Sequence, residues 1–234
     1  MKLCILENDF LDPSVQEAFG GFGAMFVRLL RQAGAEGEFE VFNTIWGEYP
    51  ESFDAYDAVL LTGSRSDSFS QDPWVLALKD KVHELLASKK KLIGVCFGHQ
   101  LIALCMGAKV GRAPQGWGAG RMQYAWTDPD FPAALGRTDV ALLASHQDQV
   151  FDLPSGAKLL ATSAFCPVAA FGVDDQVFCV QPHPEFVEDF SAYLLNKRRA
   201  ILGEEKYASS TQSLANGHDG QDVARMMVAF INGK

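Results

Sequence analysis

Cys96 stands in Gly94-Val95-Cys96-Phe97-Gly98, directly after an apolar run and directly before a segment of helical character. A nucleophile between two glycines at a strand-to-helix turn has the layout of a nucleophile elbow. Such a turn strains the nucleophile's backbone, and the flanking glycines avoid clashes with adjacent strands. It also sets the sulfur over a helix N-terminus, where partial positive charge favours a thiolate. Alone, the pentapeptide is equally compatible with a buried structural cysteine beside packing glycines. A cysteine nucleophile needs a base, and the base needs an orienter. Gln181-Pro182-His183-Pro184-Glu185 supplies both at the end of the last predicted strand. Pro184 biases His183 towards an extended conformation, and residues two apart in an extended chain project to one side. Glu185 can then fix the ring tautomer and stabilise imidazolium. A histidine in a proline-rich turn is the plainer reading of that segment by itself. Together the two segments point to a Cys-His-Glu triad.

Gly94-Val95-Cys96-Phe97-Gly98-His99-Gln100 with Pro182-His183-Pro184-Glu185 resembles the class I glutamine amidotransferase family, and the resemblance spans nearly the whole chain. Gly20-Gly21-Phe22, Leu61-Thr62-Gly63-Ser64 with Asp72 and Trp74, Lys109-Val110-Gly111-Arg112 and Ser145-His146-Gln147-Asp148-Gln149-Val150 are similar to the branch containing the plant γ-glutamyl peptidases. The resemblance implies Cys96 as nucleophile, His183 as base and Glu185 as its orienter. It implies an oxyanion hole from the backbone N–H groups of Gly63 and Phe97, and a glycine suits close approach to a reacting carbonyl. Gln100, one helical turn beyond Cys96, is implied to contact the glutamyl substrate. Ser145, His146, Gln147 and Asp148 are implied to line the glutamyl pocket.

The chemistry expected is thiol-dependent hydrolysis of a small-molecule γ-glutamyl amide through a γ-glutamyl thioester, with no metal or organic cofactor. No nucleotide-binding loop of the G-x-x-x-x-G-K-[ST] type appears and no synthase segment follows, so a hydrolase is expected before a complete synthetase. Two alternatives stay open. One is a glutaminase subunit delivering ammonia to a separate synthase subunit; the other is a non-catalytic γ-glutamyl ligand-binding module.

The elements that must carry these residues are legible in outline. Residues 2–7 form a short apolar run, 38–42 alternate, and 58–61 are wholly apolar before the Thr62-Gly63-Ser64 turn. Phe26, Leu29 and Leu30 mark a helix that Gly34 stops. Asp72-Pro73 opens another, whose apolar face is Val75, Leu78, Val82, Leu85 and Leu86. A strand at 92–95 leads into a helix over 97–106 with Gly107 at its end. This alternation predicts a parallel sheet with helices on both faces. Short strands at 122–126, 141–144, 159–162, 169–173 and 176–180 predict antiparallel pairing at its edge. Helices follow from about 188 to 202 and around Val223, Met226, Met227, Phe230 and Ile231, with a long polar surface loop expected over 203–220. Alternation and resemblance together imply a flavodoxin-like three-layer α/β sandwich, its sheet mostly parallel with antiparallel edge strands, forming a single domain over 1–234.

Composition agrees with a globular enzyme. Of 234 residues, 48% are apolar and 21% charged, ordinary values for a chain that buries its own core. Lys plus Arg is 20 against 29 for Asp plus Glu, a net charge of −9. That balance argues against nucleic acid, which needs clustered cations. Lys89-Lys90-Lys91 reads as complementing a helix C-terminus. Five scattered cysteines without a C-x-x-C pair predict neither a disulfide framework nor a zinc site. With no signal-peptide core and no run near the roughly 18 apolar residues of a membrane span, the chain reads as cytoplasmic. His99, His83, Cys4, Cys105 and Cys179 are read as packing or surface residues, and Trp117, Tyr124 and Trp126 as core or pocket wall.

Overall fold

The computed structural model describes residues 1–127 and 138–233. Its first half runs β1 (Lys2–Glu7), α1 (Pro13–Phe19), α2 (Phe22–Gln32), β2 (Glu38–Asn43), β3 (Ala58–Leu61), α3 (Pro73–Ala87), β4 (Lys91–Val95) and α4 (Phe97–Cys105). The second half runs β5 (Val110–Arg112), β6 (Gly118–Trp126), β7 (Asp139–His146), β8 (Asp148–Val150), β9 (Lys158–Thr162), β10 (Ala170–Val173) and β11 (Val177–Val180). It closes with α5 (Glu188–Leu202), α6 (Glu204–Ser213) and α7 (Gly220–Ile231).

The apolar runs dictate a sheet covered on both faces. In β1, Leu3 and Ile5 join one buried cluster while Cys4 and Leu6 join the other. The same split recurs in β3, where Ala58 and Leu60 face one way and Val59 and Leu61 the other, and in β11 with Phe178 against Cys179. Side chains of a strand alternate sides, so an unbroken apolar run buries both faces only between two layers. Phe26 and Leu30 of α2, with Val223 and Met227 of α7, cover one face. Val75, Leu78 and Val82 of α3, with Leu101 and Ile102 of α4, cover the other. The result is a three-layer flavodoxin-like α/β sandwich.

The sheet order is β2-β1-β3-β4-β11-β10-β9-β6-β7. Every pairing from β2 through β4 to β11 is parallel; every pairing from β11 to β7 is antiparallel. β11 is the seam, with β4 in register on one side (Val180 opposite Val95) and β10 on the other. Two three-residue strands, β5 and β8, pair apart from the main sheet, with Arg112 opposite Asp148.

Two expectations need correction, and a third holds in position only. The segment 203–220 is no structureless loop, because α6 and a short 3₁₀ turn over Leu214–Asn216 occupy most of it. Its residues include good helix formers, and Glu204 and Glu205 sit in the first turn where the helix dipole favours them. It is polar nearly all round and buries Ser210 alone along its length, so no apolar period betrays it. Asp72 occupies the N-cap of α3 with Pro73 at the first helical position, but its side chain makes no cap hydrogen bond. The lysine triplet complements carbonyl ends other than its own helix's: Lys90 Nζ donates to Tyr56 O, 2.8 Å, and Lys91 Nζ to Phe230 O, 2.9 Å. Among the described residues no helix is long and apolar enough to cross a membrane.

Candidate active site

Because β3, β4 and β11 are parallel neighbours, their C-terminal ends open on one edge, the edge where doubly wound sheets bind ligands. Cys96 follows β4 and caps α4 with φ 53° and ψ −102°, a conformation L residues rarely hold. Its N–H donates to Val180 O at 3.0 Å, so the strained residue is pinned by β11. The two flanking glycines are steric requirements. A Cβ on Gly98 would lie 2.4 Å from Leu61 O, and one on Gly94 would lie 2.8 Å from the Gly98 carbonyl carbon. The elbow therefore fits only because β3 and β4 each meet a bare backbone.

His183 follows β11, and its N–H donates to Leu143 O of β7 at 2.9 Å, extending the chain as expected before Pro184. Its Nδ1 lies 2.7 Å from Glu185 Oε1. The ring stacks on Phe186 with centroids 3.8 Å apart and planes 10° off parallel. Burial disfavours charge on this imidazole, but the Glu185 carboxylate and the Cys96 sulfur, the latter also by hydrogen bond, outweigh it and push the pKa up to about 10. Gly63 closes the third side: a Cβ there would meet His183 Cε1 at 2.8 Å and Cys96 Cβ at 3.6 Å. Phe97 is the first residue of α4, where a backbone N–H has no partner within the helix. The structure thus brings Cys96, His183, Glu185, Gly63 and Phe97 to one place.

The remaining predicted residues stand further back. Gln100 is buried, and both amide hydrogens are engaged: Nε2 donates to Asp148 O at 2.9 Å and to Gln181 Oε1 at 3.1 Å. Only its oxygen stays available, so Gln100 ties α4 to β8 and to the strand behind His183. Ser145 lines the cavity. His146 turns inward, its Nδ1 3.0 Å from Asp148 O and its pKa pushed down to about 4 by burial. Gln147 and Asp148 both face Arg112, at 3.3 and 3.1 Å. Burial first, then a hydrogen bond with Asp67, push the Asp148 pKa up to about 6 against the pull of Arg112. His99 is wholly buried against Phe171, a packing residue whose pKa burial lowers to about 3.

A cavity of about 370 Å³ opens over Cys96 and His183. Its outer wall comes from α5, through Tyr193, Leu194, Lys197 and Arg198, and from Asp9 and Arg65 at the ends of β1 and β3. None of these figured among the sequence candidates. Lys197-Arg198-Arg199, a second cationic triplet, was the available signal for Arg198; for Asp9 and Arg65 the signal was position just beyond a strand end. Trp117 is pocket wall, whereas Tyr124 and Trp126 are core. Among the described residues no group of three or more His, Cys, Asp or Glu is placed to hold a metal ion.

The arrangement can hold a thiol beside an oriented, proton-accepting imidazole, under a cavity of ligand size. Comparison with known proteins agrees in kind. The family model of class I glutamine amidotransferases matches residues 15–197. Gamma-glutamyl peptidase 3 of Arabidopsis thaliana is 33% identical over 214 residues, covering 85% of this chain and 83% of that protein. Gamma-glutamyl peptidase 2 of the same plant is 31% identical over 231 residues, covering 94% and 91%. The crystal structure of a glutamine amidotransferase from Thermotoga maritima superposes with a TM-score of 0.77 over 99% of this chain and 96% of that one, at 18% identity, a likeness of fold. With a family model matched across most of its length and relatives of this identity, the chain belongs to the class I glutamine amidotransferase family.

Proposed function

We propose that the whole chain acts as one amidotransferase-like domain that hydrolyses γ-glutamyl amide bonds through a thioester on Cys96. The observation that carries this reading is the positive-φ cysteine beside a buried His183–Glu185 pair, 2.7 Å apart, at the floor of one cavity. Cys96 Sγ, its proton already held by His183, attacks the γ-carbonyl carbon. The carbonyl oxygen, now negative, faces the N–H groups of Gly63 and Phe97. His183 returns the proton to the departing nitrogen, the C–N bond breaks, and a γ-glutamyl thioester remains. A water that gives its proton to His183 then attacks the thioester, releasing glutamate and restoring the thiol. Glu185 keeps the ring turned and offsets its charge throughout. A binding module has no use for a strained cysteine, and the γ-glutamyl peptidase relatives support turnover.

The test is covalent. A glutamine-like electrophile, 6-diazo-5-oxo-norleucine, is expected to add one glutamyl-sized mass at Cys96. Burial pushes Cys4, Cys105 and Cys166 up to about 12 and holds Cys179 well above the usual thiol range, so those thiols stay protonated near neutral pH. Cys96→Ala should abolish both labelling and glutamate release while leaving the fold intact. Labelling spread over all five cysteines would sink the mechanism. Glutamate release that appears only with a copurifying synthase would return the chain to the role of an amidotransferase subunit.

A further inference from the structure

Three cations line the cavity, and they are not equivalent. Arg65 pairs with Asp9 at 3.0 Å, and Lys197 pairs with Asp12, so each faces a carboxylate of the same wall. Arg198 makes no direct ion pair with a carboxylate among the described residues, although the Cys96 sulfur and the more distant Asp9 carboxylate both favour its charge. Its guanidinium lies over the Trp117 ring, 5.0 Å from the centroid, and one nitrogen donates to Ser145 Oγ at 3.0 Å. A guanidinium carries five N–H donors in a planar fork, and most of this one's donors have no partner among the described residues. Burial works against its charge, yet stacking on an indole holds the fork in place. A half-buried, oriented and unmatched guanidinium on a cavity wall suits a planar anion supplied by the ligand.

Position along α5 says which part of the ligand. Phe190 at the inner end is 0% exposed and Ile201 at the outer end is 68% exposed, and both line the cavity. At about 1.5 Å per residue, Arg198 sits about 12 Å along the helix from Phe190, near the mouth. The reacting sulfur lies on the cavity floor, so a carboxylate near the mouth belongs to the departing portion. Glutamine has nothing there, because its leaving group is ammonia. A γ-glutamyl peptide ends in a carboxylate.

Resting on the γ-glutamyl hydrolase reading, we infer that Arg198, backed by Trp117, anchors the terminal carboxylate of the leaving peptide and thereby selects γ-glutamyl peptides over glutamine.

The test pairs a γ-glutamyl dipeptide bearing a free C-terminal carboxylate with the same dipeptide as its C-terminal amide. Wild-type kcat/KM is expected to favour the acid by roughly 10–100-fold, the worth of one charge-assisted hydrogen bond. Arg198→Met should bring the acid-to-amide ratio close to one, and Arg198→Lys should restore part of it. Equal kcat/KM for acid and amide in the wild type would overturn the inference. So would an Arg198→Met variant that loses both substrates equally, with Cys96 alkylation slowed in step, because Arg198 would then be serving the thiolate. Calorimetric binding of acid and amide to Cys96→Ala separates the two levels. A preference for the acid without any turnover in the wild type would support the anchor and defeat the hydrolase.

Discussion

His183 is 3% exposed, and a histidine so buried ordinarily loses its proton. Here Glu185 and Cys96 reverse that outcome and raise its pKa to about 10. The sign of the linkage follows. A histidine whose folded pKa lies above the unfolded value of about 6.5 binds its proton more tightly when folded. Its stabilising contribution is complete below pH 6.5 and disappears as the pH rises through 10. Denaturant titrations of wild type and His183→Gln should therefore show a stability gap that narrows between these pH values; a gap that widens would contradict the ion pair. Turnover should separate base from orienter. Loss of the base in a comparable triad costs about two orders of magnitude more than loss of the third member. His183→Ala is thus expected to be nearly inert and Glu185→Gln measurably active in a glutamate-release assay.

Elements make these side chains meet, and here the sequence was readable only in part. The apolar runs of β1, β3 and β4 announced buried strands, whereas 176–180, expected at an antiparallel edge, holds the interior strand β11, parallel to β4. The elbow became legible only with the His183 segment beside it, since its glycines alone fit a structural cysteine equally well. The α6 helix was invisible because it buries almost nothing, and periodicity records only what is buried. Arg198 was invisible for a related reason: on its helix it looks like any solvated cation until the fold turns that face over the cavity. Nor does the Gln100 spacing reveal that both amide hydrogens are engaged by backbone and side chain behind it. The elbow makes a sharp prediction. Gly98→Ala would place a methyl 2.4 Å from Leu61 O, and overpacking of this kind costs about 1–3 kcal/mol. Thermal melts should drop accordingly, with Cys96 labelling slowed beyond what stability explains. Gly63→Ala, pressing on the tip of His183 instead of on a strand, should impair turnover far more than it lowers the melting temperature.

At the scale of the molecule, the last helix is as much a part of the core as any strand. Met227 of α7 is wholly buried in the cluster that holds Phe26 and Leu30 of α2. Met227→Ala is expected to cost about 2–5 kcal/mol by equilibrium unfolding. Tyr207→Ala, on polar α6, should cost far less. The order of the sheet has a further consequence, for time. β11 comes last of the strands along the chain yet lies between β4 and β10. Until it arrives, β4 presents an open edge, and pairings so distant in sequence close slowly. The nucleophile and its base belong to opposite sides of that closure. A half-folded or still-emerging chain therefore carries Cys96 as an ordinary thiol, without an imidazole to take its proton, and is spared indiscriminate reaction while incomplete. During refolding, capture of the electrophile at Cys96 should lag behind the recovery of helical signal, so that the chemistry itself reports when the last strand has seated.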